Sequence, residues 1–281
     1  VVQGWHNILG LQWFFWPTGH GLGIFSSQMT IKDEVAEIRT PYGVMRTVIY
    51  RPQAPGRYPG LVFFSEIFQI TGPIARAAMM FAGHGMVVAV PEIYHELEEP
   101  GTVLAYDQEG SARGNAHKTA KELASYDADA SAAVEFLQND PGCTGHVGAA
   151  GFCIGGHLAY RAAFHQAVRA TVCFYPTDLH KRGLGRGMND DSLQRTADIG
   201  GEMLMIWGRQ DPHIPDDGRV AAYQALSSAG VCFTWHEFNA QHAFMRDEGH
   251  RYDPELARLC YSLALGLFQR RLGEGDQNAA S

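Results

Sequence analysis

The sequence predicts an α/β fold: a mainly parallel, twisted sheet flanked by helices on both faces. Two observations carry that expectation. Short runs rich in Val, Ile, Phe and Met alternate with longer segments of helical periodicity, the rhythm of strand–helix–strand units. Several of those runs are apolar at consecutive positions rather than alternate ones, as strands covered on both faces must be. With 281 residues, 46% of them hydrophobic, the chain can bury one large core.

Residues 1–28 stand apart. They contain no Asp, Glu, Lys or Arg, yet hold Trp5, Trp13 and Trp16, three of the five tryptophans. They lack the basic start of a signal peptide, and Gly and Pro break their apolar stretch below spanning length, so no membrane association is expected. They read as an uncharged extension of separate status, with the functional unit beginning at Met29. Val35–Thr40 and Val44–Arg51, separated by Pro41-Tyr42-Gly43, read as an antiparallel hairpin. A strand over Leu61–Glu66 precedes a helix over Ile74–Gly83, and a strand follows at Met86–Val90. One long helix is expected over Ala116–Gln138, stopped by Asp140-Pro141-Gly142. The remaining strands are His146–Gly151, Ala170–Tyr175, Met203–Gly208 and Cys232–Phe238. The remaining helices are Gly156–Phe164, Asp217–Ala229 and Pro254–Leu272. The reading is one domain over residues 29–272 with a polar tail at 273–281. Two stretches break the rhythm, polar Glu96–Asn115 and charged Pro176–Ile199. Segments of that length are either lids and binding loops or solvated surface excursions.

Charge and composition exclude several functions. The net charge is −8, from 22 basic and 30 acidic residues, and no basic run exceeds a pair, so no nucleic-acid partner is expected. The five cysteines are scattered and form no C-x-x-C pair, which argues against a disulfide framework or zinc ribbon and for a reducing, cytoplasmic setting. There is no H-E-x-x-H motif, and His236 and His242 lack an obvious third ligand. Neither a metal nor an organic cofactor is expected.

The chemistry concentrates at "GFCIGG", Gly151 to Gly156. A strand runs into Cys153 and a helix begins within three residues. That is the context of a nucleophile elbow, where a sharp turn exposes the nucleophile and demands small neighbours. Gly151 and Gly155 meet that demand on either side, and the helix N-terminus favours a thiolate. A nucleophile of this kind needs a base, and the base an orienting carboxylate. Asp211 follows the strand Met203–Gly208, and His242 follows the strand Cys232–Phe238. Nucleophile, acid and histidine therefore occur in the chain order of such enzymes, each after a strand. Taken singly, Cys153 also fits a buried structural thiol, Asp211 a helix cap and His242 a loop histidine.

Taken together, "SEIFQITGP" (Ser65–Pro73), "VVAVPEIY" (Val87–Tyr94), "GFCIGGHLAY" (Gly151–Tyr160), "GRQDPHIP" (Gly208–Pro215) and "QHAFMR" (Gln241–Arg246) resemble the dienelactone hydrolase family of α/β hydrolases. The resemblance implies an α/β-hydrolase fold and a Cys153–Asp211–His242 triad that cleaves a small ester or lactone through a thioester. It implies that Glu66 contacts the cysteine and keeps the resting thiol protonated, a helix cap being the alternative use of that carboxylate. It implies oxyanion-hole N–H groups at Ile67 and Ile154. It also implies that Arg246 binds a substrate carboxylate and that Tyr94, His95 and Glu96 lie at the substrate, Glu96 standing where a second arginine is expected. Arg113, Arg182 and Arg186 are the cations that could compensate. The expected partner is a small-molecule ester or lactone, bound by a monomer or small homo-oligomer. A non-catalytic small-molecule receptor on the same fold, or a redox thiol protein centred on Cys153, are the other readings of these residues.

Overall fold

Residues 30–273 are described by the structure, a computed structural model; the extension 1–28, the start at Met29 and the tail beyond Gly273 lie outside the described residues. The hairpin forms as expected from β1 (Ile31–Thr40) and β2 (Gly43–Pro52), paired in antiparallel register. The remaining strands are β3 (Tyr58–Phe64), β4 (Val87–Pro91), β5 (Cys143–Phe152), β6 (Val168–Phe174), β7 (Glu202–Gly208) and β8 (Phe233–Phe238). All eight form one sheet in the order β1-β2-β4-β3-β5-β6-β7-β8. Only β2 with β1 and β4 is antiparallel. From β4 to β8 every pairing is parallel.

Six α-helices cover it: α1 (Gly72–Gly83), α2 (Gln108–Ala120), α3 (Leu123–Asn139), α4 (Ile154–Ala162), α5 (Asp216–Ser228) and α6 (Pro254–Leu272). A Cβ on Gly60 of β3 would meet Leu137 of α3, whereas one on Gly148 of β5 would meet Phe268 and Leu272 of α6. Gly60 pairs with Val147, the residue before Gly148. Successive strand residues face opposite ways, so α3 and α6 lie on opposite faces. Helix α4 packs beside α3. Helix α1 joins α6, with the ring of Phe81 5.8 Å from Tyr261 and 5.9 Å from Phe268. The inner strands are thus buried on both sides, which explains their unbroken apolar runs.

Two expectations need correction, and one open reading is decided. The single helix over Ala116–Gln138 is two helices, and the first starts earlier, inside the stretch read as a polar loop. The break falls at Lys121 and Glu122, both with extended backbone. That backbone turns the Lys121 side chain fully inward, where its ammonium meets Glu96 (2.6 Å) and Asp129 (2.7 Å). A helix running through this point would carry Lys121 elsewhere and leave those carboxylates unpaired. The strand at Leu61–Glu66 ends at Phe64, and Glu66 lies in the turn beyond, bridged to Gln69. The Pro176–Ile199 segment is anchored rather than solvated. Its Thr177, Asp178, Leu179, Leu184, Asp190, Ser192 and Thr196 are buried. His157 of α4 ties it down, with Nδ1 2.8 Å from the Thr177 carbonyl and Nε2 2.7 Å from Ser192 Oγ. No helix among the described residues is long and apolar enough to cross a membrane.

Candidate active site

Because the central strands run parallel, their carboxyl ends share one edge, where open α/β sheets collect their functional groups. Cys153 follows β5 there. Its backbone has φ 59° and ψ −121°, and α4 begins at the next residue. For a residue with a Cβ that conformation costs about 1–3 kcal/mol and persists only where the surroundings enforce it. Here they do. A Cβ on Gly151 would lie 2.1 Å from the Gly155 carbonyl oxygen, and one on Gly155 would lie 2.2 Å from that of Phe64. The two glycines let β3, β5 and the turn approach closely enough to pinch Cys153 outward.

Asp211 follows β7 and His242 follows β8, both buried. His242 Nδ1 is 2.5 Å from Asp211 Oδ2, and Asp211 Oδ1 accepts the backbone N–H of His213 (2.8 Å). With Nδ1 engaged, Nε2 is the nitrogen left for Cys153. Burial alone would lower the His242 pKa. Its charge interaction and hydrogen bond with Cys153, together with the Asp211 hydrogen bond, outweigh that and push it up to about 10. Two neighbouring rings, Tyr175 and His213, meet the imidazole edge-on at centroid distances of 5.3 and 4.8 Å. The three groups expected to cooperate are therefore brought together.

These residues open into a cavity of about 370 Å³, whose lining includes Glu66, Ile67, Tyr106, Cys153, His242, Arg246 and Arg251. Helix α2 supplies Ser111, Asn115 and Lys118, and the 176–199 segment supplies Thr177, Asp178 and Lys181. Both stretches that broke the sequence rhythm are thus cavity walls. Lys118 (2.5 Å) and Lys181 (2.8 Å) share the buried carboxylate of Asp178. Burial works against that charge, but the two ammoniums hold its pKa below the usual range. The backbone N–H groups of Ile67 and Ile154 find no acceptor among the described residues, and Ile154 opens α4.

The expected contact between Glu66 and Cys153 is not made. Glu66, almost wholly buried, accepts a hydrogen bond from Tyr106 Oη (3.0 Å) and lies 3.9 Å from Arg246 Nη1. Burial raises its pKa, while Arg246, His242 and Tyr106 pull it back. It does not cap α1, whose N-cap is Thr71. Arg246 lines the cavity as expected, its guanidinium 4.2 Å above the Tyr106 ring.

Three expected substrate contacts fail. Tyr94, His95 and Glu96 do not line the cavity. Tyr94 is buried and its hydroxyl donates to the Gly114 carbonyl. His95 Nε2 sits 3.0 Å from Asp129 Oδ2, and Glu96 accepts from Ser125 and pairs with Lys121. His95, Glu96 and Asp129 form a cluster close enough to hold a cation, but the Lys121 ammonium already lies between the two carboxylates. The compensating arginines are also engaged elsewhere: Arg113 with Glu98, Arg182 with the Asp190 carbonyl and Arg186 with the Ala120 carbonyl. The second cavity arginine is Arg251, which makes no hydrogen bond or ion pair with the described residues. Its only sequence signal is membership of the same loop as Arg246. Tyr106 had none, being one tyrosine among eleven.

Comparison with known proteins gives the chain's family and fold. The sequence profile of the dienelactone hydrolase family matches residues 45–272. A Saccharomyces cerevisiae protein named "Putative carboxymethylenebutenolidase" is 39% identical over 256 residues, covering 87% of this chain and 93% of its own. The "Carboxymethylenebutenolidase" of Pseudomonas sp. strain P51 is 25% identical over 218 residues, 77% of this chain and 87% of its own. The crystal structure of a "Putative Dienelactone Hydrolase" from Klebsiella pneumoniae superposes with a TM-score of 0.73 at 22% identity, covering 86% of this chain and 99% of that one.

Proposed function

The chain belongs to the dienelactone hydrolase family, and from that premise we propose that it hydrolyses a small carboxylate-bearing ester or lactone with Cys153 as nucleophile. The observation that carries this reading is the buried Asp211–His242 hydrogen bond directed at a cysteine held in a strained, glycine-enforced turn. Sγ, having given its proton to His242, attacks the carbonyl carbon. The N–H groups of Ile67 and Ile154 receive the oxyanion. Collapse breaks the C–O bond, and His242 returns the proton to the leaving alkoxide. In a lactone that alkoxide stays on the same molecule. His242 then deprotonates a water that attacks the thioester, and Cys153 leaves as thiolate. Asp211 fixes the tautomer throughout. Glu66 trades between the thiol and its Tyr106–Arg246 pocket. Arg246 and Arg251 receive the substrate carboxylate, and Glu96, turned away onto Lys121, does not oppose it.

The test is turnover of aryl esters and lactones, with and without a carboxylate, by wild type, Cys153→Ala and His242→Ala. Expected are loss of turnover in both variants and, in the wild type, preference for the anionic substrates. Full activity of Cys153→Ala would sink the reading.

A further inference from the structure

Glu66 needs a partner when it is not at the thiol, and the structure offers one that sequence motifs do not mark. Tyr106 Oη is 3.0 Å from Glu66 Oε2 and 2.6 Å from Thr71 Oγ1. A phenol has one proton, and an ionised carboxylate only accepts. The proton therefore goes to Glu66, and the Thr71 hydroxyl must donate to Tyr106. The result is a chain of fixed direction, Thr71 to Tyr106 to Glu66. Arg246, at 3.9 Å, is too far to hold the carboxylate by a hydrogen bond.

The phenol is itself held in place. Phe68 meets its ring edge-on at 4.7 Å, and the Arg246 guanidinium lies over it at 4.2 Å. Tyr106 directly precedes Asp107, the N-cap of α2, whose carboxylate accepts from the Gly110 N–H at 2.7 Å. A Cβ on Gly110 would lie 2.1 Å from the Ala105 carbonyl oxygen, so the backbone on either side of Tyr106 is tightly folded on itself.

We propose that Tyr106 is a positioning residue that holds Glu66 off Cys153 and, with its ring, supports Arg246 at the substrate's anion site. The proposal rests on the reading of Cys153 as nucleophile. The groups facing Glu66 are Arg246, Arg251, His242, Tyr175, Cys153 and Tyr106 itself. Of these only Tyr106 makes a hydrogen bond with it. Without that bond the carboxylate is free to turn to the thiol, where its charge disfavours thiolate.

The experiment measures Cys153 alkylation by iodoacetamide against pH, resolved by peptide so that exposed Cys232 is read separately. In Tyr106→Phe the midpoint is expected to rise by about one pH unit, the equivalent of one charge-assisted hydrogen bond. On the acid side of that midpoint, kcat/KM should fall about tenfold, while KM for a carboxylate-bearing ester changes less than about twofold because the ring remains. Tyr106→Ala should raise that KM as well. Thr71→Val should shift the midpoint the same way by less, and serves if Tyr106→Phe folds poorly. In a Glu66→Gln background Tyr106→Phe should move nothing, since the carboxylate it acts through is gone. A Tyr106→Phe profile that overlies wild type, or an equal shift in the Glu66→Gln background, overturns the proposal. Ester turnover by Cys153→Ala at the wild-type rate would overturn the catalytic reading instead, and the alkylation profile would still decide the role of Tyr106.

Discussion

Replacing Asp211 by Asn tests the centre of the site, because the structure dictates which way the amide must turn. Asp211 Oδ1 accepts the His213 N–H at 2.8 Å, and Oδ2 faces His242 Nδ1 at 2.5 Å. In Asp211→Asn the amide oxygen is needed by His213, so the NH₂ group faces Nδ1. Nδ1 must then accept, the proton moves to Nε2, and the nitrogen nearest Cys153 can no longer take the thiol proton. Two effects follow. Loss of a buried charge-assisted hydrogen bond of about 1.5–3 kcal/mol lowers the His242 pKa by roughly one to two units. Starting from about 10 in the native protein, the imidazolium that pairs with the thiolate is then lost at a lower pH. The alkaline limb of kcat/KM should move down by the same one to two units, since kcat/KM reports the free enzyme. Above that limb, where the imidazole is neutral and its proton sits on Nε2, kcat/KM should fall about 10³-fold or more, in line with triads whose acid is made an amide. The assay is hydrolysis of an activated aryl ester from pH 5 to 10, corrected for background, with thermal melting to confirm the fold. A variant that keeps more than about a tenth of wild-type kcat/KM with an unmoved alkaline limb would refute both the tautomer argument and the triad.

Other outcomes follow from the same geometry. Arg246→Met should raise KM for carboxylate-bearing esters about 10- to 100-fold and leave neutral esters nearly unchanged, with Arg251→Met acting in the same direction; indifference of both variants to substrate charge would remove the anion site. Gly155→Ala places a Cβ 2.2 Å from the Phe64 carbonyl oxygen, backbone against backbone, so urea denaturation should show a loss of about 3 kcal/mol or more, or no folded protein. Lys121→Met strands Glu96 and Asp129 beside each other and should cost about 3–5 kcal/mol. Glu96→Gln should leave the preference for anionic substrates where it was, and a change in that preference would return Glu96 to the substrate site.

The strands, the pinched turn at Cys153 and the positions of Asp211 and His242 after β7 and β8 were legible because each rests on local pattern. An apolar run predicts a buried strand, and a glycine two residues either side of Cys153 predicts a pinched turn. What the sequence hid depends on where side chains point after distant elements pack. Glu96 looked like an acid at the substrate because the family resemblance puts a second arginine at its position, shortly after β4. Its direction is set instead by Lys121, on the far side of the cavity-wall helix α2. The same inward turn of Lys121 broke a helix whose span, Ala116–Gln138, contains no Gly or Pro to mark the break. Arg251 and Tyr106 were invisible because no spacing rule links them to Cys153; only the folded loops do.

The 176–199 segment shows why polar letters left two readings open. Its charged residues fitted a binding loop or a solvated face, and the structure decides for the loop: Asp190 is fully buried beside His157, and Asp178 is buried between Lys118 and Lys181 at the cavity. Removing one partner from such a pair leaves an uncompensated charge, so these contacts discriminate sharply between one docked position and all others. Helix α2 and the insertion are joined through Lys118 and Asp178 directly at the cavity, and His157 of α4, one turn beyond Cys153, fastens the insertion from behind. The walls that meet the substrate are therefore registered to the nucleophile's own helix by ionic and hydrogen-bonded contacts. A cavity walled in this way can change its substrate by exchanging exposed side chains such as Asn115 while the turn at Cys153, held by glycine contacts with β3, stays in place.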